Sequence, residues 1–234
     1  MQNILAVIPA RGGSKGIKYK NLLKLNNRSL IEIAIKEAKK SKYITKILFS
    51  SDSNKIIKEA KKFIKVEFIR PKKYSTDKAS SYDVARHALN WFENNNKSKK
   101  ISIVVILSPT TPFRTVNDID NVIKKLINNK KANSVIGITE VDYPPYWMLK
   151  KNKKSRLSWL IKEKKKFNSR QEYPIIYKPN GMVYALKTNF LKNLKGILPQ
   201  KGTLGYYIDG RRSINIDHIS HYEYCKYLMK SKIR

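Results

Sequence analysis

Apolar and polar positions along the chain fall into blocks of two kinds. Residues 4–8 and 46–51 are short apolar runs that read as strands. Between them, SLIEIAIKEAKKSK places apolar residues at helical spacing behind a Ser29/Glu32 capping-box pattern. The same reasoning predicts a helix over 53–63 and a strand over 65–69. It predicts a further helix over 81–95, with Val84, Ala85, Ala88, Leu89 and Phe92 on one face. ISIVVIL at 101–107 is continuously apolar, as expected of a parallel strand covered on both faces. Asn117 is the expected cap of the next helix, and SVIGITEV the strand after it. This alternation predicts an α/β fold: a single, doubly wound, mostly parallel sheet with right-handed crossovers, one domain over 1–234. Ligands of such sheets bind at the carboxyl ends of strands. The loop after the first strand, the loop around Arg70 and the PTTPFR segment all fall there.

The pattern breaks over 141–177, which is rich in Pro, Tyr, Trp and Lys and lacks a helical period. Two or three short strands are expected. Tyr143, Tyr146, Trp147 and Trp159 need burial against something, so the segment reads as a β-rich insertion that packs on a second subunit. The other reading is a flap over the site.

Length and charge refine this picture. A chain of 234 residues can bury one sizeable core. Its net charge of +33 would attract an anionic substrate, nucleic acid or membrane. The lysines are spread along the chain rather than gathered in a block, which favours solvated surface plus an anionic substrate, with no nucleic-acid partner expected. Cys225, the single cysteine, excludes an intramolecular disulfide and fits a reducing cytoplasm. It falls in an expected C-terminal helix, where packing is its expected role. The N-terminus has no secretory pattern, and no apolar run has the length to span a membrane.

The most informative stretch is VIPARGGSKGIKYKN, residues 7–21. Glycines let a backbone approach a ligand closely, and exposed N–H groups with nearby cations suit a polyphosphate. The spacing is neither the Walker pattern nor the dinucleotide-binding fingerprint. On residues alone, the string serves either a polyphosphate or a solvated basic turn.

The whole string resembles the opening signature of the CMP-sugar synthetases that activate nonulosonic acids, the sialic acid cytidylyltransferase family. Ala10, Arg11, Ser14, Lys15, Gly16, Lys20 and Asn21 fall on its positions. Four later blocks continue the resemblance over most of the chain. FIRPKKYSTDKASSYD matches at Arg70, Pro71, Asp77, Ala79, Ser80 and Ser81, and LSPTTPFR at Pro109, Thr110, Pro112 and Arg114. SRQEYPIIYKPNGMVYAL carries Arg170, Gln171, Lys178 and the Asn180-Gly181 pair, where a strand is expected to begin. SINIDHISHYEY carries Asp217.

The resemblance implies a nucleotide-diphospho-sugar-transferase-like fold and a homodimer. It also implies transfer of CMP from CTP to the anomeric hydroxyl of a nonulosonic acid, with release of pyrophosphate. Arg11, Lys15 and Asp217 are then the catalytic set. Gly13, Ser14, Lys20, Asn21, Arg70 and Ser81 join Arg11 and Lys15 around the nucleotide. One serine of the Ser80-Ser81 pair is expected to cap the helix while the other faces the base. Ser108, Arg170, Gln171 and Asn180 lie on the sugar side, and Asp217 holds Mg²⁺ or Mn²⁺ against the triphosphate.

Two positions depart from the family. Ser108 stands where glutamine is expected, which removes an amide contact to the acceptor. Asn215 stands where a first aspartate is expected, which puts a second metal carboxylate in doubt. On local sequence alone, Asp217 is instead the N-cap of the next helix. His218 and His221 read as surface or capping residues. The rivals are a nucleotidyltransferase with another nucleoside triphosphate or a sugar-phosphate acceptor, and a non-catalytic basic binder of nucleotides or nucleic acid.

Overall fold

A computed structural model describes residues 2–13, 16–161 and 172–231. Six strands form the central sheet: β1 (Ile4–Pro9), β4 (Lys46–Ser50), β5 (Ile103–Ile106), β6 (Ser134–Glu140), β9 (Tyr177–Lys187) and β10 (Thr203–Tyr207). Their spatial order is β10-β6-β9-β5-β1-β4. β1 pairs parallel with β4 and β5, and β10 parallel with β6, while β9 runs antiparallel to both β5 and β6. One reversed strand in a parallel sheet matches the expected architecture.

The continuous apolar strands are explained by two cores. In β1, Ile4, Ala6 and Ile8 face one core with α1 (Leu30–Lys40), α2 (Asn54–Ala60) and α4 (Val116–Asn128). Leu5 and Val7 face the other with α3 (Ser81–Asn95) and α5 (Thr188–Asn193). β5 divides likewise, Ile103 and Val105 against Val104 and Ile106. A third, smaller cluster (Leu25, Leu30, Ile216, Cys225) seats α6 (Ile219–Lys230) on the hairpin of β2 (Lys24–Leu25) and β3 (Arg28–Ser29). Burial pushes the Cys225 thiol up to about 12, so it stays neutral and packs.

Several local expectations are corrected. Residues 65–69 form no strand. Val66 and Phe68 flank polar Glu67 as in a strand, but a strand would turn both to one face, whereas Val66 joins one core and Phe68 the other, and Ile69 is exposed. Pro71 and a 3₁₀ turn at Lys72–Tyr74 then lead the chain away. Asn117 does not cap α4. Thr115 does, in a reciprocal box with Asp118, which Arg212 grips from the last loop at 2.7 Å. Ser29 caps α1 by accepting from the Glu32 N–H, but the Glu32 carboxylate meets Lys36 instead of closing the box. Asn180 lies inside β9 rather than at its start, at a register shift against β6, with Gly181 at φ +74.

Within 141–177, β7 (Leu149–Lys151) and β8 (Leu157–Trp159) pair as a separate antiparallel hairpin. Leu149, Leu157 and Trp159 on it are all exposed. Among the described residues, no helix is long and apolar enough to cross a membrane.

Candidate active site

β1, β4 and β5 end together, and their loops are tied at once. Ala10 N–H donates to Ser50 O (2.9 Å) and Leu107 N–H to Val7 O (3.0 Å). The glycine loop then folds over the turn that follows β4. Gly12 N–H donates to Asp52 Oδ1 at 3.0 Å. A Cβ on Gly12 would stand 2.8 Å from Ser53 Cβ, so the close approach requires glycine. The loop ends in a 3₁₀ turn at Lys20–Leu22, and the buried Asn21 amide donates back to Arg11 O at 3.1 Å.

The last loop of the chain closes the site from the other side. Ile216 N–H donates to Thr110 O at 2.8 Å, which fastens the segment to the PTTPFR loop. That loop is itself clamped by buried Arg114, whose Nη1 donates to Ser108 O, Thr111 Oγ1 and Met182 O. Gly16 lies against Asp217: a Cβ there would stand 2.3 Å from Asp217 O. Lys20 Nζ meets Asp217 Oδ1 at 2.7 Å, and Asn215 Nδ2 donates to Asp217 Oδ2 at 2.9 Å. Asp217 is therefore not the helix cap; His218 holds that position. His221 Nδ1 accepts from the Asp217 N–H at 3.2 Å, a capping role from the first turn of α6.

Two clefts result. The first, about 410 Å³, is lined by Arg11, Gly16, Lys20, Asn21, Arg70, Ser81, Ser108 and Thr110, with Asp217 and His218. The second, about 430 Å³, is lined by Lys178, Asn180, Tyr184, Ser213, Asn215 and His221, again with Asp217. Among the described residues, Asp217 is the one that lines both.

The first cleft is cationic. Arg11 Nη1 lies 2.8 Å from Asp77 Oδ1. Arg70 is only 4% exposed, and burial draws its pKa down to about 10 despite the pull of Asp52. Its Nε and Nη2 have no hydrogen-bond partner among the described residues. Ser80 caps α3 in a reciprocal box with Asp83, which leaves Ser81 exposed on the cleft wall. Ser108 Oγ pairs with Thr110 Oγ1 at 2.8 Å.

The second cleft is polar, with Lys178 and Asp217 as charged groups of opposite sign on its wall. The buried Asn180 amide is turned inward: Nδ2 donates to Ser213 Oγ (3.1 Å), and Oδ1 accepts from Met182 N–H (3.0 Å). Tyr184 is mostly buried, and burial pushes its phenol above the ordinary value. A third cavity, about 240 Å³, lies behind Pro112–Thr115 between α1 and α6. Its rim cations Lys40, Arg211 and Arg212 are paired with Glu37, Asp209 and Asp118, and it shares no residue with the two clefts.

Arg11, Lys20, Asn21, Arg70, Ser81, Ser108 and Asp217 thus converge from four of the five sequence blocks. Ser14, Lys15, Arg170 and Gln171 lie outside the described residues. Gly13 has open space around its Cα. Asp52, Thr110 and Tyr184 received no role from the sequence. Asp52 could have been found, since it follows a strand at its carboxyl end. Among the described residues, no group of three or more His, Cys, Asp or Glu gathers as a metal cluster.

The chain is similar to known proteins along its length. It is 28% identical over 231 residues to an N-acylneuraminate cytidylyltransferase of Escherichia coli O18:K1:H7, which covers 99% of this chain and 53% of that protein. It is 34% identical over 141 residues to a pseudaminic acid cytidylyltransferase of Campylobacter jejuni, covering 60% of each. The chain thus spans about half to three fifths of the length of these relatives. The fold superposes on a CMP:2-keto-3-deoxy-manno-octonic acid synthetase complexed with CTP, at TM-score 0.72 and 15% identity, over 99% of this chain and 100% of that one. The sequence profile of the cytidylyltransferases matches residues 5–229, and the chain belongs to that family.

Proposed function

We propose that this chain transfers CMP from CTP to the anomeric hydroxyl of a nonulosonic acid, releasing pyrophosphate. The observation that carries this reading is the pair of clefts meeting at Asp217, one cationic and one polar. A nucleotidyl transfer needs that arrangement: a polyanion held on one side, a polyol on the other, and the acceptor oxygen in line with the α-phosphorus. Arg11 and Lys20 offset phosphate charge, Arg11 by its fork and Lys20 as a point charge. Asn21, Arg70 and Ser81 face the nucleoside. Lys178 and Tyr184 face the acceptor, the lysine being a cation available to its carboxylate among the described residues. The relatives named above act on N-acylneuraminate and pseudaminic acid, which supports the acceptor class.

The residues present fit a divalent ion of modest demand. Mg²⁺ is commonly held by one or two carboxylates together with substrate phosphates and water. Asp217, half exposed between the clefts, supplies one such carboxylate. When bound there, the ion would neutralise charge developing on the phosphates. Lys20 would release Asp217 and turn to the triphosphate.

The protein would act as a homodimer in the cytoplasm, with the β7–β8 hairpin at the subunit contact. A two-stranded hairpin is marginal alone, and this one carries exposed Leu149, Leu157 and Trp159.

The test is pyrophosphate release with each of the four nucleoside triphosphates, Mg²⁺ and a panel of nonulosonic acids, with sugar phosphates as the competing acceptors. A CMP conjugate formed only from CTP and a nonulosonic acid is the expected result. Turnover confined to another nucleotide or to a sugar phosphate would overturn the assignment.

A further inference from the structure

We propose that Asp52 is a positioning residue of the nucleotide cleft, a carboxylate that fixes the start of the glycine loop and aims the Arg70 guanidinium at the ligand. The inference deepens the cytidylyltransferase reading and rests on it. Asp52 lines neither cleft. It stands one layer behind, in the turn after β4, where two distant segments meet. Its Oδ1 accepts from Gly12 N–H at 3.0 Å, and the same oxygen is 3.9 Å from Arg70 Nη2. The adjoining backbone holds both partners as well: Ser50 O accepts from Ala10 N–H and Ser51 O from Arg70 N–H. Ser53 packs on the Gly12 Cα.

The geometry at Arg70 decides the role. Its side chain is buried, and Arg11 pushes against it from the same cleft. A buried cation needs a counter-charge. At 3.9 Å Asp52 supplies the charge but no hydrogen bond, since that distance exceeds hydrogen-bond range. Nη1 reaches Tyr74 O at 3.4 Å, while Nε and Nη2 have no acceptor among the described residues. Asp52 therefore stabilises the guanidinium without occupying Nε or Nη2, which are buried and unpartnered among the described residues beside the cleft that Arg70 lines. A carboxylate 1 Å nearer would take the donor it now leaves open.

Asp52→Asn separates the two tasks. The amide oxygen can still accept from Gly12 N–H, but the negative counter-charge to Arg70 is gone. We expect the KM for CTP to rise about tenfold, with a smaller fall in kcat, as for a coupling of ordinary size between neighbouring groups. The CTP-dependent thermal shift measured without acceptor should weaken in parallel, a readout free of turnover. In an Arg70→Ala background, Asp52→Asn should cost CTP binding nothing further. Melting without ligand checks that the variants fold. Asp52→Asn with wild-type KM and thermal shift, or with the same loss in the Arg70→Ala background, overturns the role. A wild-type protein that responds to none of the four nucleoside triphosphates fails differently: it overturns the reading of the cleft, and this inference with it.

Discussion

Lys20 and Asp217 are 197 residues apart in sequence, and their charged atoms lie 2.7 Å apart. The pair joins the first loop of the chain to the last across the mouth of the cationic cleft. Both groups belong to the proposed reaction in other pairings, Lys20 with phosphate and Asp217 with a divalent ion. The bridge is thus the resting arrangement of two groups that a nucleotide and a metal would separate. Removing either partner should cost catalysis more than stability, because Asp217 is about half exposed and exposed ion pairs contribute little. Lys20→Ala is expected to lower kcat/KM for CTP by roughly 10- to 100-fold, the size of one charged hydrogen bond. Asp217→Asn is expected to abolish the dependence on divalent ion along with most of the activity. A Lys20→Ala protein with unchanged kinetics but a large drop in melting temperature would reassign the pair to the fold.

Gly16 supplies a steric test of the same junction. A Cβ there would stand 2.3 Å from Asp217 O, a backbone atom that cannot rotate away. Gly16→Ala must push the glycine loop from the last loop and break the register of Lys20 with Asp217. A loss of transfer of up to about a hundredfold is expected, since an ångström of misplacement can carry that cost. The check is single-turnover CMP transfer at saturating CTP. Wild-type rates in Gly16→Ala would mean that the two loops move freely past each other.

Much of this arrangement is legible in the residues. α1 and α3 announce themselves because each buries a periodic face, β1 and β5 because each is a short continuous apolar run buried on both faces, and the glycine loop because its composition is unusual. Residues 65–69 mislead because Val66 and Phe68 flank a polar residue as strand positions would, yet they pack into different cores without joining the sheet. Asp217 reads as a cap because a carboxylate before a helix usually is one; its actual partners, Lys20 and Asn215, include one from the far end of the chain. Asp52 escapes notice for a similar reason: its meaning lies in Gly12 and Arg70, and local sequence names neither.

The exposed hairpin predicts an assembly. Leu157 and Trp159 are 64% and 56% exposed on β8, and they belong to one short antiparallel pair. Trp159→Asp, or Leu157→Asp, should shift the protein from dimer to monomer in light scattering at micromolar concentration, with the melting of the main sheet little changed. A wild-type protein that is monomeric at every concentration would remove the hairpin as an interface and favour its reading as a flap.

His87 sets a pH dependence on stability. It lies on α3 against the rings of Phe68 and Tyr74, with Nδ1 buried and without a partner among the described residues. Burial lowers its pKa below 6.5, and the cations Lys73 and Arg70 lower it further. The unfolded chain therefore takes the proton first as pH falls. The full stability is present above the unfolded pKa and declines as pH drops through the window just below it. Comparing melting at about pH 7.5 and about pH 5.5, His87→Phe should show a shallower decline than wild type. An equal slope in both proteins would place the acid sensitivity elsewhere.

Asn215 offers a gain-of-function test of the proposed metal position. Its amide Nδ2 donates to Asp217 Oδ2 at 2.9 Å and so satisfies the oxygen that a second carboxylate would repel. Asn215→Asp places two carboxylates at that separation. Without a divalent ion they repel, or share a proton, and the melting temperature should fall. With the ion present they can chelate it together, so the Mg²⁺ concentration for half-maximal activity should drop severalfold, and Mg²⁺ should raise the melting temperature of the variant more than that of the wild type. The two effects have opposite signs and one cause. A variant destabilised equally with and without Mg²⁺, at unchanged metal dependence, would mean that Asn215 serves only to brace Asp217 and that the ion sits elsewhere.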